Sequence, residues 1–377
     1  FLDYCSLCQP PPGGRRTAAE DALFRRALAD LELWYAHEQT TVLLLTESGV
    51  GRRYEERGWT TYESLVARIL KARSYMVWPA VIDVGHPARS QEMQAPPPTP
   101  EAFREMLRSL QFTNGADREM VAGLYERTLR AALGGATDLA YESAGWGDEE
   151  LVAFSSNARL CVNAHSLDLT MNPVGDVGIV ALARALRDGA MPRLEELRMI
   201  NAGIDVVPTT TWLATKATDK DLRKHDGRIG AVGTRALGEA LCGMPSLTSL
   251  TFSECNLDAR AIASLMEPLT RAAARTSIVE LNVANPMGDE GIYAIADAFS
   301  HGVFHRLESL RLQECDNTGL GMAALAGSLG NVSRLAELVV SGDAIEDSGW
   351  QSLASALCKG LLPMLRCLNL GGASLGD

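Results

Sequence analysis

A block of basic residues is missing from this 377-residue chain. Its 35 Lys+Arg stand against 47 Asp+Glu, a formal charge of -12, so nothing in it could track phosphates, and neither nucleic acid nor an anionic membrane is expected as a partner. Long apolar runs are missing as well. The longest, around residues 41–45 and 76–84, fall far short of the ~20 residues that a bilayer span requires. Closely paired cysteines are scarce: of eight, only Cys5 and Cys8 lie near each other, with no second pair at zinc-ligand spacing. The aliphatic content can build cores without staples, so the thiols read as reduced and the protein as intracellular, with no metal and no cofactor expected. No Ser-His-Asp or Cys-His arrangement is evident, and His37 and His165 have no catalytic partner in the sequence. His301-x-x-x-His305 has metal-like spacing, but Gly302 weakens a helix there and no carboxylate joins at a suitable offset, so it reads as a loop. The chain opens on Phe1 and stops at residues 375–377 inside a repeat, so it reads as a fragment at both ends, with self-association expected through an uncapped solenoid end or through the amino-terminal region.

What the sequence does hold is a repeat. L-x-x-L-x-L frames, with substitutions, begin at Ala164, Leu194, Leu247, Ile278, Leu307, Leu335 and Leu365. Their second apolar positions are Leu167, Leu197, Leu250, Leu281, Leu310, Leu338 and Leu368, spaced 28–31 residues apart except for one gap lengthened by an insertion at about 205–227. Each short strand leads through a turn, best preserved at residues 172–178 and 285–291, into a helix with apolar residues four apart, such as Leu182/Leu186 and Leu265/Leu269. One strand and one helix cannot bury their own apolar faces, whereas stacked copies share a core. After the strands, Asn172, Cys255, Cys315 and Asp343 can hydrogen-bond the turn backbone, which makes Cys255 and Cys315 structural.

In these frames the region from about residue 160 to 377 resembles ribonuclease-inhibitor-like leucine-rich repeats, the type also found in NOD-like receptors and in the GTPase activator of Ran. The resemblance implies a parallel sheet lining a concave face, helices outside and protein recognition as the role. Side chains alternating with the leucines would form that face, and the candidates for partner contact are Asp168, Thr170, Glu196, Arg198, Thr251, Asn282, Arg311 and Gln313. Only Arg198 and Arg311 are of the types that anchor tight interfaces. The insertion adds Trp212 as a second possible anchor, although a neutral loop fits it equally.

Residues 1–84 show no repeat and read as an open parallel α/β sheet: a strand at 1–7, a helix from Thr17 to His37 opened by a Thr17/Glu20 capping box, a doubly buried strand at 41–45, a helix from Thr60, and a strand at 75–83. A Pro-rich linker (85–98) and a helical connector (99–157, helices at about 100–110 and 117–133) would then lead into a solenoid of seven repeats at 158–377, the last truncated. Asp3 on the first strand, Gln9 after it, and Trp59-x-x-x-Glu63 on the later helix resemble TIR and heterokaryon-incompatibility domains. That resemblance implies Glu63 as a carboxylate that cleaves the nicotinamide bond of NAD, with Trp59 beside it. Thr60-x-x-Glu63 is equally a capping box, in which Glu63 would serve only its own helix. The expected function is therefore intracellular protein binding or scaffolding, in signalling or recognition. The alternatives are a TIR-like NAD-cleaving enzyme governed by its repeats and a GTPase-regulating repeat protein.

Overall fold

The computed structural model describes residues 14–29, 35–36, 40–46, 53–70, 81–84, 95–202, 228–341 and 345–371. The chain divides into two compact units, one comprising residues 1–71, 76–92 and 100–132, the other residues 72–75, 93–99 and 133–377. The strand expected at residues 1–7, with Asp3, Cys5, Cys8 and Gln9, and the insertion with Trp212 lie outside the described residues, as does Asp343.

In the first unit, β1 (Val42–Leu44) and β2 (Val81–Asp83) pair in parallel, Val42 opposite Val81 and Leu44 opposite Asp83. Val42 and Leu44 point into a small core with Ala67 and Val81, but Leu43 is 60% exposed. The strand was expected to be buried on both faces; in the described structure one face is covered and the other is not. Helix α1 (Ala18–Ala29) opens as predicted, the Glu20 carboxylate accepting from the Thr17 amide at 2.8 Å while the Thr17 hydroxyl accepts from the Glu20 amide at 3.2 Å. Helix α2 (Gly58–Val66) starts two residues before the predicted position. The Phe112 ring occupies the space where a Cβ on Gly58 would lie, and the Gly58 amide donates to the Gln111 carbonyl at 3.0 Å, which anchors the helix start there. Helices α3 (Pro100–Ser109) and α4 (Asp117–Gly135) match their predicted spans, with Pro100 at the first helical position. Tyr62, Val66, Phe103, Leu107, Val121, Tyr125 and Leu129 are fully buried, and the Phe103 and Tyr125 rings lie 4.1 Å apart.

The second unit is an eight-stranded parallel sheet in strict sequence order. Its strands are β3 (Asp138–Ala140), β4 (Ser166–Asp168), β5 (Glu196–Ile200), β6 (Ser249–Ser253), β7 (Glu280–Asn282), β8 (Ser309–Leu312), β9 (Glu337–Val340) and β10 (Cys367–Asn369). Between them run α5 (Asp148–Asn157), α6 (Asp176–Arg187), α7 (Ala231–Leu241), α8 (Ala259–Arg271), α9 (Gly288–Ser300), α10 (Gly319–Ser328) and α11 (Asp347–Cys358). This is the leucine-rich-repeat solenoid anticipated from the frames, with every predicted strand in register. It begins one repeat early: β3 and α5 fall in the stretch expected to be a helical connector, and Leu139 stands opposite Leu167. Pro97, assigned to the linker, is buried, and its carbonyl accepts from the Asn157 side chain at 2.7 Å.

Leu139, Leu167, Leu197, Leu250, Leu281, Leu310 and Leu338 form one column, each at most 1% exposed. Burying each such side chain contributes roughly 1.5–3 kcal/mol. Leu368 continues the register opposite Leu338 but is 39% exposed, against the expectation of burial, because among the described residues no strand pairs with the other side of β10. At the amino-terminal end Tyr141, Trp146 and Phe154 close the core, Tyr141 stacking on Trp146 at 4.2 Å.

Polar side chains stitch consecutive repeats. Asn172 is fully buried; its Oδ1 accepts from the Trp146 amide at 2.9 Å and its Nδ2 donates to the carbonyls of Tyr141, Leu169 and Thr170. Asn285 likewise accepts from the Cys255 and Leu257 amides and donates to the Phe252 carbonyl. A carboxylate in the first turn of one helix accepts two amides from the start of the next: Asp148 from Gly175 and Gly178, Asp176 from Gly230 and Gly233, Asp289 from Thr318 and Gly321. Negative charge at a helix amino terminus is favourable. The second glycine leaves room for it, since a Cβ on Gly178 or Gly233 would come within 2.9 or 2.7 Å of the carboxylate oxygen. The turns themselves pass through left-handed backbone at Met171, Asn201, Glu254 and Glu314, with φ from 52° to 56°.

Candidate functional site

Strand alternation sends the leucines toward the helices and leaves the intervening side chains on the other face of the sheet. Register aligns these into rows. The first row runs Asp138, Ser166, Glu196, Ser249, Glu280, Ser309, Glu337, Cys367, so that carboxylates and hydroxyls alternate from strand to strand. The serines donate to acidic neighbours: Ser166 to Asp138 at 2.7 Å, Ser249 to Glu280 at 3.2 Å and Ser309 to Glu337 at 2.8 Å. The hydrogen bond from Ser166, then that from Thr137, holds the Asp138 carboxyl below the usual carboxylate range. The second row is Ala140, Asp168, Arg198, Thr251, Asn282, Arg311, Val339, Asn369.

Both arginines are engaged within the face. Arg198 bridges Glu196 and Asp168, the latter at 3.4 Å; desolvation opposes its charge, yet the two carboxylates together raise its pKa. Arg311 donates to Glu337 at 3.0 Å. Asp138 and Glu280 have serine partners but no ion pair with Lys or Arg among the described residues, although the charge of His165 also favours the Asp138 carboxylate. Five carboxylates against two arginines make the face acidic. Asn282 lies between Thr251 and Arg311 with its Oδ1 buried and without a partner.

Of the predicted contact residues, Asp168, Glu196, Arg198, Thr251, Asn282 and Gln313 are partly exposed and Arg311 is exposed. Thr170 is a correction: it is 8% exposed, and its amide donates to Asp168, so it belongs to the rim's structure rather than to a contact surface. Sequence reasoning missed Asp138, because the frame search began at Ala164; the available signal was Leu139, 28 residues ahead of Leu167.

In the first unit, the Thr60/Glu63 capping box is not formed. Thr60 lies inside α2 and its hydroxyl donates to the carbonyls of Tyr54 and Arg57, while the helix is capped at Arg57 without a side-chain bond. Trp59 turns away to α4, its indole N–H donating to Asp117 at 3.2 Å and its ring meeting Tyr62 edge-on. Glu63 belongs instead with Tyr54. Burial, then the charge of Glu63 and that of Asp83, pushes the Tyr54 phenol above its ordinary range, with Arg68 and Arg57 opposing. Asp83, the last residue of β2, is 3% exposed and accepts from the Thr46 hydroxyl at 2.6 Å. Thr46 and Asp83 thus mark the carboxyl ends of the parallel pair, the edge where open α/β sheets place ligands.

Cys255 and Cys315 are fully buried, with their Sγ atoms against backbone carbonyls, and burial pushes both thiols up to about 12, as structural positions require. His301 is bonded to the Asp297 carbonyl at the end of α9. Among the described residues, no group of three or more His, Cys, Asp and Glu could hold a metal ion, and no helix is long and apolar enough to cross a membrane.

A leucine-rich-repeat family profile matches residues 165–183. Among curated proteins, the chain is 30% identical over 213 residues to a ribonuclease inhibitor of Sus scrofa, covering 55% of this chain and 44% of that protein. It is 28% identical over 232 residues to the NACHT, LRR and PYD domains-containing protein 12 of Mus musculus, covering 59% of this chain and 21% of that one. The chain therefore spans less than half the length of these relatives. Among solved structures, an internalin of Listeria monocytogenes aligns over 66% of this chain and 63% of its own, at 14% identity and a TM-score of 0.33.

Proposed function

We propose that this ribonuclease-inhibitor-like leucine-rich-repeat protein recognises a protein partner through the open face of its eight-stranded sheet, and that the partner brings cationic hydrogen-bond donors. The carrying observation is the in-register row in which carboxylates alternate with serines, of which Asp138 and Glu280 form no ion pair with Lys or Arg among the described residues. A face with surplus acceptors is complementary to donors, and opposite charge steers association and fixes register. Arg198 and Arg311, held by their own carboxylates, supply rigid guanidiniums to the same surface. The role follows the usual one of such repeats, in recognition or scaffolding within the cell.

The test is charge reversal. Proteins retained by the immobilised chain are compared with those retained by Asp138→Lys/Glu280→Lys and by Val232→Lys, a control on the exposed side of α7. The partner should be kept by the control and lost by the double variant. Retention by all three would overturn the proposal.

A second reading concerns the first unit. The charges of Glu63 and Asp83 that act on Tyr54, with Asp83 at the carboxyl end of β2, support a small-molecule site there, in which Glu63 would stabilise the positive charge that develops as nicotinamide leaves NAD. On that reading Glu63→Gln abolishes nicotinamide release with little change in thermal stability. Absence of release from the unsubstituted protein would refute it.

A further inference from the structure

The turns that lead from each helix into the next strand stack as regularly as the strands do. The Glu308 amide donates to the Val279 carbonyl and the Ala336 amide to the Glu308 carbonyl, both at 2.8 Å. Arg306 and Arg334 stand at equivalent places, two residues before these amides, on neighbouring repeats whose backbones are about 5 Å apart. From the preceding repeat, the Thr276 amide and hydroxyl both donate to the Val303 carbonyl, at 3.0 and 2.9 Å, which fixes the adjoining Arg275 beside the same turn.

The charges of three guanidiniums consequently act on His305. Its Nδ1 is buried; burial first, then Arg275, Arg306 and Arg334, hold the imidazole below its ordinary range, against a backbone hydrogen bond with Val303. All three arginines are exposed. Arg334 is paired with Glu308 at 2.9 Å, whereas Arg275 and Arg306 have no carboxylate partner among the described residues. In a chain of net charge -12 this is a cationic spot, with Glu308 the carboxylate paired within it among the described residues.

We infer that the turn cluster of Arg275, Arg306 and Arg334 is a binding site for a phosphate monoester carried on a peptide partner. A guanidinium presents a planar fork of donors that matches phosphate oxygens, and a dianion with three terminal oxygens can accept from more than one fork at once, which a carboxylate does less well. Three arginines are too few to track a nucleic-acid backbone, and a lipid surface calls for clusters of about 4–8 basic residues. The site is separate from the open face of the sheet and would add a phosphorylation-dependent contact to whatever that face binds.

Fluorescence anisotropy at low ionic strength tests this with a labelled phosphoserine peptide in neutral flanks, its unphosphorylated counterpart, inorganic phosphate as competitor, and phosphatidylserine vesicles. The phosphopeptide should bind saturably, the plain peptide should not, and phosphate should compete. Arg275→Gln and Arg306→Gln should each weaken binding about tenfold, the loss expected of one charge-assisted hydrogen bond. Arg193→Gln, in a corresponding turn but bonded to Asn163, should leave it unchanged, as should circular dichroism in every variant. No saturable phosphopeptide binding, indifference to both substitutions, or binding to vesicles but not to the phosphopeptide would overturn the assignment.

Discussion

Leu281→Ala is expected to destabilise the protein by about 2–5 kcal/mol, measured as the shift of the urea transition followed by circular dichroism. Leu281 is 1% exposed, in the middle of the buried column, with Leu250 on one side and Leu310 on the other. Truncation there removes the transfer free energy of three carbons and leaves a cavity that rigid neighbouring strands cannot close. The same change at Leu368, which is 39% exposed, should cost less, about 1.5 kcal/mol, because less burial is lost and no closed cavity is left. Equal effects at the two sites would contradict the assignment of Leu281 to the core and of Leu368 to the edge.

Asn172→Leu should be at least as damaging, at about 3–5 kcal/mol. Leucine is close in volume, so the cost is not one of packing. It arises because the Trp146 amide loses this acceptor and the Leu169 carbonyl this donor inside a fully buried turn, whereas the Tyr141 and Thr170 carbonyls keep backbone donors in Ala144 and Ser143. Each buried backbone group left unpaired costs roughly 1–3 kcal/mol. Because repeat arrays can lose cooperativity, the loss should be concentrated at the amino-terminal end of the solenoid. Native-state hydrogen exchange at Trp146 should accelerate well before exchange in β8 and β9 does. A stability change below about 1 kcal/mol, with Trp146 exchange unaltered, would contradict the hydrogen-bond assignment.

These two positions also show what the sequence could reveal. The leucine frames were legible because each inward side chain is buried by copies of itself 28–31 residues away, so the packing constraint recurs at the period of the repeat. Asn172 was legible for the same reason: a polar residue at a fixed offset behind an apolar strand has to satisfy the turn. The first repeat escaped notice because aromatic residues, Tyr141, Trp146 and Phe154, do there what leucines do elsewhere. The glycines at 175 and 178 were visible as part of a preserved turn, but their purpose was not. It depends on Asp148, 27 residues earlier, reaching across a repeat boundary to their amides.

In the first unit, local pattern misled at α2. Thr60-x-x-Glu63 has the form of a capping box, yet the helix begins at Gly58 because the Phe112 ring and the Gln111 carbonyl, both distant in sequence, meet it there. The open face of the solenoid was legible residue by residue but not as a pattern. Alternation of acid and hydroxyl becomes apparent only when register sets Asp138, Ser166, Glu196 and Ser249 side by side.

The central claim, that this face is the recognition surface, is tested most directly by placing a photoreactive side chain at Thr251, in the middle of the second row, and another at Val232, on the exposed outer side of α7. Illumination in the presence of the partner captured by the unsubstituted protein should crosslink it from position 251 and not from position 232. Crosslinking from Val232 alone would place recognition on the helices and contradict the account.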